Sequence, residues 1–371
     1  MYKNLFPRAA EVTYLDTAAE GLPLPQVDQS FSGYYRAKSQ GTSGRKDLHA
    51  VEAGALCLVA RLLGTEPANV AFLASTSDAL SLLALSIDWK PGDQVLISDL
   101  EFPSNVLPWL RLKKVGVDLA VIPSNRGGLS WEQVIERITA KTRLVSLSLV
   151  SYKTGAYLPG IQKISIAAKK VGAIVCVDAT QALGRCPVPL NGVDYLVSSS
   201  FKWLLGPHGL GIVYIAPEFQ KQFRPAGVGW YSVKDLFSRK RFESYKLKDG
   251  AACLPIGMPN FPSMYALRPG IEFLLEVGVN RIHKELRPTV ELLREGLFNL
   301  GVDLLTPEGA EFSSGIVSFA HPRAEELGAA LERDGIIVWA GDGRVRASVH
   351  LYNEMSDVDR YLEALKSILN Q

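Results

Sequence analysis

The stretch DYLVSSSFKWLLGPHGLGIVYI, residues 194–215, decides the fold. Asp194-Tyr195-Leu196-Val197 reads as a short buried strand that runs into three serines and Lys202. Gly206 to Gly211 then turns the chain into a second apolar strand, Ile212-Val213-Tyr214-Ile215. A lysine set between such runs must meet a counter-charge, reach water, or lose its proton. A snorkelling surface lysine would leave the same trace, so Lys202 needs support from elsewhere in the chain.

Support lies one strand upstream. Ile174-Val175-Cys176-Val177 is an apolar run that stops at Asp178, with Gln181 three residues on. A carboxylate at the end of a buried strand is costly unless it meets a cation. Pyridoxal phosphate needs this pair of residue types: a lysine for the Schiff base, and an acid that keeps the pyridine nitrogen protonated so the ring can accept electrons.

Further out, strands and helices alternate. Strands are expected at 70–74, 94–98, 119–122 and 144–150, and helices at 51–63, 79–87, 106–115, 131–138 and 164–171, with Gly64 as a helix C-cap. This alternation predicts an α/β domain with a mainly parallel sheet, and such sheets bind ligands beyond the C-terminal ends of their strands. Ser75-Thr76-Ser77, Phe102, Asp178 and Ser199 to Lys202 all fall at such ends. Hydroxyls before a helix are ordinary caps, but they also make a phosphate cradle with the free N–H groups of the first turn. Phe102 suits core packing or stacking on a flat ring. The glycines at 206, 209 and 211 enter a strand, not a helix, which disfavours a dinucleotide fold.

Beyond Pro217 a loop-rich, aromatic segment runs to about 260. Helices are expected at 265–277, 282–300, 324–333 and 356–369, and strands near 314–319 and 336–349, the pattern of a smaller α+β domain. In 344–351 every second residue is polar, which puts Arg344, Arg346, Ser348 and His350 on one strand face. That face is either solvated or an arginine fork for a carboxylate.

Composition narrows the classes. The 371 residues suggest two domains. A net charge of +2 gives no field for nucleic acid or an anionic membrane. The four cysteines have no CxxC spacing and the five histidines form no ligand cluster, so a reducing, cytoplasmic, metal-free protein is expected.

These residues resemble the class V aminotransferase family, the fold-type I pyridoxal phosphate enzymes that include cysteine desulfurases, kynureninase and isopenicillin N epimerase. The similarity runs nearly end to end. Tyr14-Leu15-Asp16-Thr17-Ala18-Ala19 resembles the family's N-terminal stretch, and Ser75-Thr76-Ser77-Asp78-Ala79 its phosphate turn. The resemblance implies that Thr76, Ser77 and Ser199 hold the phosphate and that Phe102 stacks on the ring. It implies Asp178 on the pyridine nitrogen, Gln181 by the phenolic oxygen, Lys202 as the Schiff-base lysine, and Arg346 on the substrate carboxylate.

It further implies a large cofactor domain at 15–255 with a seven-stranded sheet, a small domain from 1–14 and 256–371, and a homodimer. The implied activity is transamination of an amino acid, with β-elimination as the alternative and epimerisation or non-catalytic binding behind it. Four features depart from the family's desulfurases. Phe201 stands for a histidine, Tyr152 for an asparagine and Met258 for a threonine. The loop at 338–344 is short, and no cysteine follows Cys253.

Overall fold

The structure, a computed structural model, describes residues 2–370. Seven strands form its main sheet: β1 (Val70–Leu73), β2 (Gln94–Ser98), β3 (Asp118–Ile122), β4 (Thr142–Ser148), β5 (Ile174–Asp178), β6 (Tyr195–Ser199) and β7 (Gly211–Ile215). Their order is β3-β2-β4-β5-β6-β7-β1. All are parallel except β7, which runs against both β6 and β1.

The alternation of side chains along a strand explains why these runs are apolar throughout. Val175, Val177, Leu196 and Ile212 enter one apolar cluster, and Cys176, Tyr195, Val197 and Val213 enter another on the opposite face. The helices Arg45–Leu63 and Phe261–Val277 cover the first face, and Thr76–Ser86 covers the second. The Arg45–Leu63 helix ends as its sequence suggests, with Gly64 left-handed at φ 68°.

The C-terminal part has its own antiparallel sheet: β8 (Asp303–Leu304), β9 (Ile316–Ala320), β10 (Trp339–Gly341) and β11 (Arg344–Ser348), in the order β8-β9-β11-β10. Val317, Phe319 and Val345 share a third cluster with Leu293, Leu331 and Tyr361 from the flanking helices, and with Leu15. The N-terminal segment runs alongside: Thr13–Tyr14 pairs with Ile336–Ile337 in a separate two-stranded ladder, and Asp16 makes a single bridge to Ser348 at the end of β11.

Three sequence expectations change. The helix expected over 282–300 is two, Val279–Glu285 and Arg287–Asn299, because Pro288 lacks the N–H that a continuous helix would need there. The strand expected over 336–349 is three pieces, with Asp342 and Gly343 forming a two-residue turn at φ 51° and 67°. The polar face of β11 is not solvated, since every residue of that strand is buried. His350 lies beyond the end of β11 and turns away to Trp203. No helix among the described residues is long and apolar enough to cross a membrane.

Candidate active site

A cavity of about 320 Å³ opens at the C-terminal ends of β1, β2, β4, β5 and β6. Thr76, Ser77, Phe102, Asp178, Gln181, Ser199 and Lys202 all line it, joined by Ser75, Ser104, Ser148, Tyr152, Thr180 and Phe201. Arg346 stands just outside this lining, tied to Tyr152.

The hydroxyl side is built by helix capping. Ser75 is the N-cap of the Thr76–Ser86 helix and accepts from the Asp78 N–H. Thr76 Oγ1 meets Ser199 Oγ at 2.9 Å, and Ser77 Oγ meets Ser104 Oγ at 2.7 Å. This close approach of β7 to the turn requires Gly211, because a Cβ there would stand 2.4 Å from the Ser75 carbonyl carbon. First-turn N–H groups and clustered hydroxyls suit a dianionic phosphate.

Asp178 ends β5 inside the cavity and is buried. Its Oδ1 accepts from the Thr180 N–H at 2.9 Å, and Thr180 Oγ1 in turn accepts from the Ser199 N–H. Burial pushes its carboxyl upward, against the Thr180 hydrogen bonds and the charge of Lys202. A buried acid with mostly neutral neighbours is set up for a cationic partner such as a protonated ring nitrogen. Gln181 is already engaged, with Nε2 donating to the Ala18 carbonyl and Oε1 accepting from Trp203 Nε1.

Lys202 leaves the end of β6 into a tight turn. The Leu205 N–H donates to the Lys202 carbonyl, and Leu205, buried, is left-handed at φ 57°. Strain of this kind persists only where the surroundings hold it. The N-terminal segment presses on the same turn: the Gly21 N–H donates to the Phe201 carbonyl, and a Cβ on Gly21 would overlap the Lys202 carbonyl oxygen. Lys202 Nζ stands 5.7 Å from the Phe102 and Phe201 ring centres. Burial lowers its pKa to about 8, helped by Arg346 and opposed by Asp178, Asp16 and Glu20.

The arginine side comes from β10, β11 and the N-terminal segment. Arg346 Nη1 donates to the Tyr152 carbonyl at 3.1 Å, and Nη2 approaches Asp16 Oδ1 at 3.5 Å. Burial raises the Asp16 pKa to about 6, with Arg346 opposing it. Phe102 packs edge-on to Tyr152, with ring centres 5.0 Å apart.

Sequence reasoning passed over Thr180, Ser104, Ser148 and Glu101. Glu101 is buried and accepts from Ser98, Asn105 and Ser148, fixing the backbone next to Phe102. Its position beside a candidate ring-stacking residue was a usable signal; the serines carried none.

Taken together, a hydroxyl cradle, a buried acid and a lysine of lowered pKa fit a flat, phosphate-bearing pyridine. The comparisons agree. The chain is 29% identical to a probable cysteine desulfurase of Pyrococcus abyssi, over 98% of this chain and 96% of that one. It superposes on the apo structure of a cysteine desulfurase from Thermococcus onnurineus with a TM-score of 0.91 at 28% identity, covering 99% and 97% of the two chains. A mutant of the protein C-DES, with glycine covalently linked to its PLP cofactor, shares the fold at a TM-score of 0.90 and 21% identity, covering 98% of each chain. The fold is that of fold-type I pyridoxal phosphate enzymes. The aminotransferase class-V family model matches residues 13–361, so the chain belongs to the class V aminotransferases and is a pyridoxal phosphate-dependent enzyme.

Proposed function

We propose that the enzyme is an aminotransferase acting on an amino acid, not a thiol-dependent desulfurase. The β10–β11 hairpin carries this reading. It closes through only Asp342 and Gly343, and no cysteine follows Cys253 in the sequence. Transfer of sulfur to the protein requires a thiolate that can reach the substrate. Cys176, Cys186 and Cys253 are buried, and burial pushes their thiols upward. Cys57 is exposed on the Arg45–Leu63 helix, and none of the four lines the cavity.

Thr76, Ser77 and Ser199 would hold the phosphate, Phe102 would lie against the ring, and Gln181 would stand near its phenolic oxygen. Asp178 would keep the proton on the ring nitrogen. Lys202 would be the covalent anchor. When bound, the cofactor supplies an aldehyde for the substrate amine and a ring that accepts electrons from the bond broken at the α-carbon. Arg346 binds the α-carboxylate and so orients the Cα–H bond. Lys202 Nζ, with a pKa near 8, takes the α-proton and returns it.

Amino-acid donors tested with keto-acid acceptors should give new amino acid in step with donor keto acid, without free ammonia. Ammonia released in step with keto acid, needing no acceptor, would identify an elimination and overturn the transaminase reading. A persulfide trapped on any of the four cysteines would restore the desulfurase reading.

A homodimer in the cytoplasm completes the proposal. Trp230, Phe237, Phe242, Ile256 and Met258 are all exposed on the segment between the two sheets, which supports a partner covering it. Sedimentation of the active enzyme as a monomer would exclude the dimer.

A further inference from the structure

Two guanidiniums stand on the substrate wall where one α-carboxylate needs only one. Arg344 and Arg346 point to the same face of β11, and both are buried. Their guanidinium carbons lie 4.5 and 5.2 Å from the ring centre of Trp339 on β10. Arg344 also stacks on Tyr152, 5.1 Å from its ring centre, and Tyr152 lines the cofactor cavity. Among the described residues, neither arginine's Nε has a hydrogen-bond partner.

The counter-ions of the two arginines are unlike. Arg346 has Asp16 and the Tyr152 carbonyl, both on the wall itself. Arg344 has Asp342 at 2.5 Å, and that carboxylate is 73% exposed at the tip of the hairpin turn. An exposed partner contributes little, whereas a buried guanidinium is costly unless well paired. Asp342 is therefore a counter-ion that a better-placed anion can replace. Arg346 acts on Lys202 electrostatically, and Arg344 lies one pleat further along the strand, roughly 6.6 Å on.

We propose that Arg344, with Trp339 and Tyr152, forms a second anion subsite, and that the substrate is an amino acid with an acidic side chain. The inference rests on the reading that Arg346 takes the α-carboxylate. That group sits on Arg346, and the side-chain acid reaches past Tyr152 to Arg344, displacing Asp342. A planar fork matched to a carboxylate gives the selectivity.

The test uses holoenzyme and acids that carry no amine, so that binding is read without reaction. Calorimetry at fixed ionic strength compares glutarate with butyrate. Wild type should bind glutarate about tenfold or more tighter. R344Q should bring the ratio of the two affinities close to one, R344K should restore part of it, and D342N should raise it above wild type. A wild-type ratio near one overturns the subsite, as does a ratio that R344Q leaves unchanged. The amino-acid reading fails separately: if the ratio behaves as expected but no amino acid reacts, the subsite stands and the activity does not. If neutral amino acids react while the ratio is near one, the activity stands and the subsite does not.

Discussion

The two walls of the site are built on opposite plans. The proposed cofactor wall gathers Thr76, Ser77, Thr180 and Ser199, whose hydroxyls bond to one another, to the Ser104 hydroxyl or to nearby backbone at the ends of a rigid sheet. The proposed substrate wall gathers Arg344 and Arg346, whose Nε groups have no partner among the described residues. On the first wall the hydroxyls are held in place by one another and by backbone; the second holds buried donors without a partner among the described residues. A resident group suits the first arrangement, since it need never leave. A ligand that must come and go suits the second, since pairing the buried charges is regained at each binding event.

The largest effect should come where the walls meet. K202A should lower turnover by roughly 10³-fold or more, because proton transfer at the α-carbon then loses its base. Borohydride reduction of the wild-type holoenzyme followed by peptide mapping should find the cofactor on Lys202. Label on a different lysine would move the whole site.

Next comes the substrate wall. R346Q should cut kcat/KM by about 10²-fold, the scale of losing one partner of a buried charged pair. Cofactor affinity, read by titration of the apoenzyme, should change little. Equal losses in both would mean that the two walls are not independent. A smaller effect should follow on the cofactor wall from G211A. Its Cβ would press on the Ser75 carbonyl and on the Thr76 nitrogen, at 2.5 and 2.8 Å. Displacing the turn should weaken cofactor binding roughly tenfold, about 1.4 kcal/mol, with little change in KM once cofactor is saturating.

The same contrast explains what could be read from the chain. Strand ends in an α/β sheet are fixed by short apolar runs, so 75–77, Asp178 and 199–202 are legible in the sequence as one cluster. The second wall depends on which side of a small antiparallel sheet is covered, and alternation alone cannot tell a solvated polar face from a buried one. Period two placed Arg344 and Arg346 together, but only the packing of Trp339, Tyr152 and Asp16 shows that their face is closed. The break at Pro288 and the hairpin at Asp342-Gly343 are local signals within longer periodic runs. The Gln26–Ser39 helix is hard to read from sequence: only Ala37 on it is buried, and its larger apolar residues Phe31 and Tyr35 stay exposed.

The smallest effect on catalysis, and the clearest on stability, should come from His350, which sits behind both walls. Its Nε2 meets the carbonyl of Trp203 at 3.1 Å, next to Lys202, and it follows β11 by two residues. Burial, with Arg185 adding to it, lowers its pKa from 6.5 to about 3. Above pH 6.5 the imidazole is neutral whether the chain is folded or not, and contributes no pH dependence. Below 6.5 the unfolded chain takes the proton first, so stability falls with acidification until about pH 3. The slope from this one group is at most about 1.4 kcal/mol per pH unit. Asp16 works in the opposite sense. Its folded pKa of about 6 lies above the ordinary carboxyl value of 3.8, so the folded chain takes its proton first and gains stability as pH falls between those values. In wild type the two slopes partly cancel between pH 4 and 6. Denaturant melts across that range should therefore separate them: H350Q should remove the acid-induced loss and D16N should steepen it. If both variants shift the slope in the same direction, the signs assigned to one of these two groups are wrong.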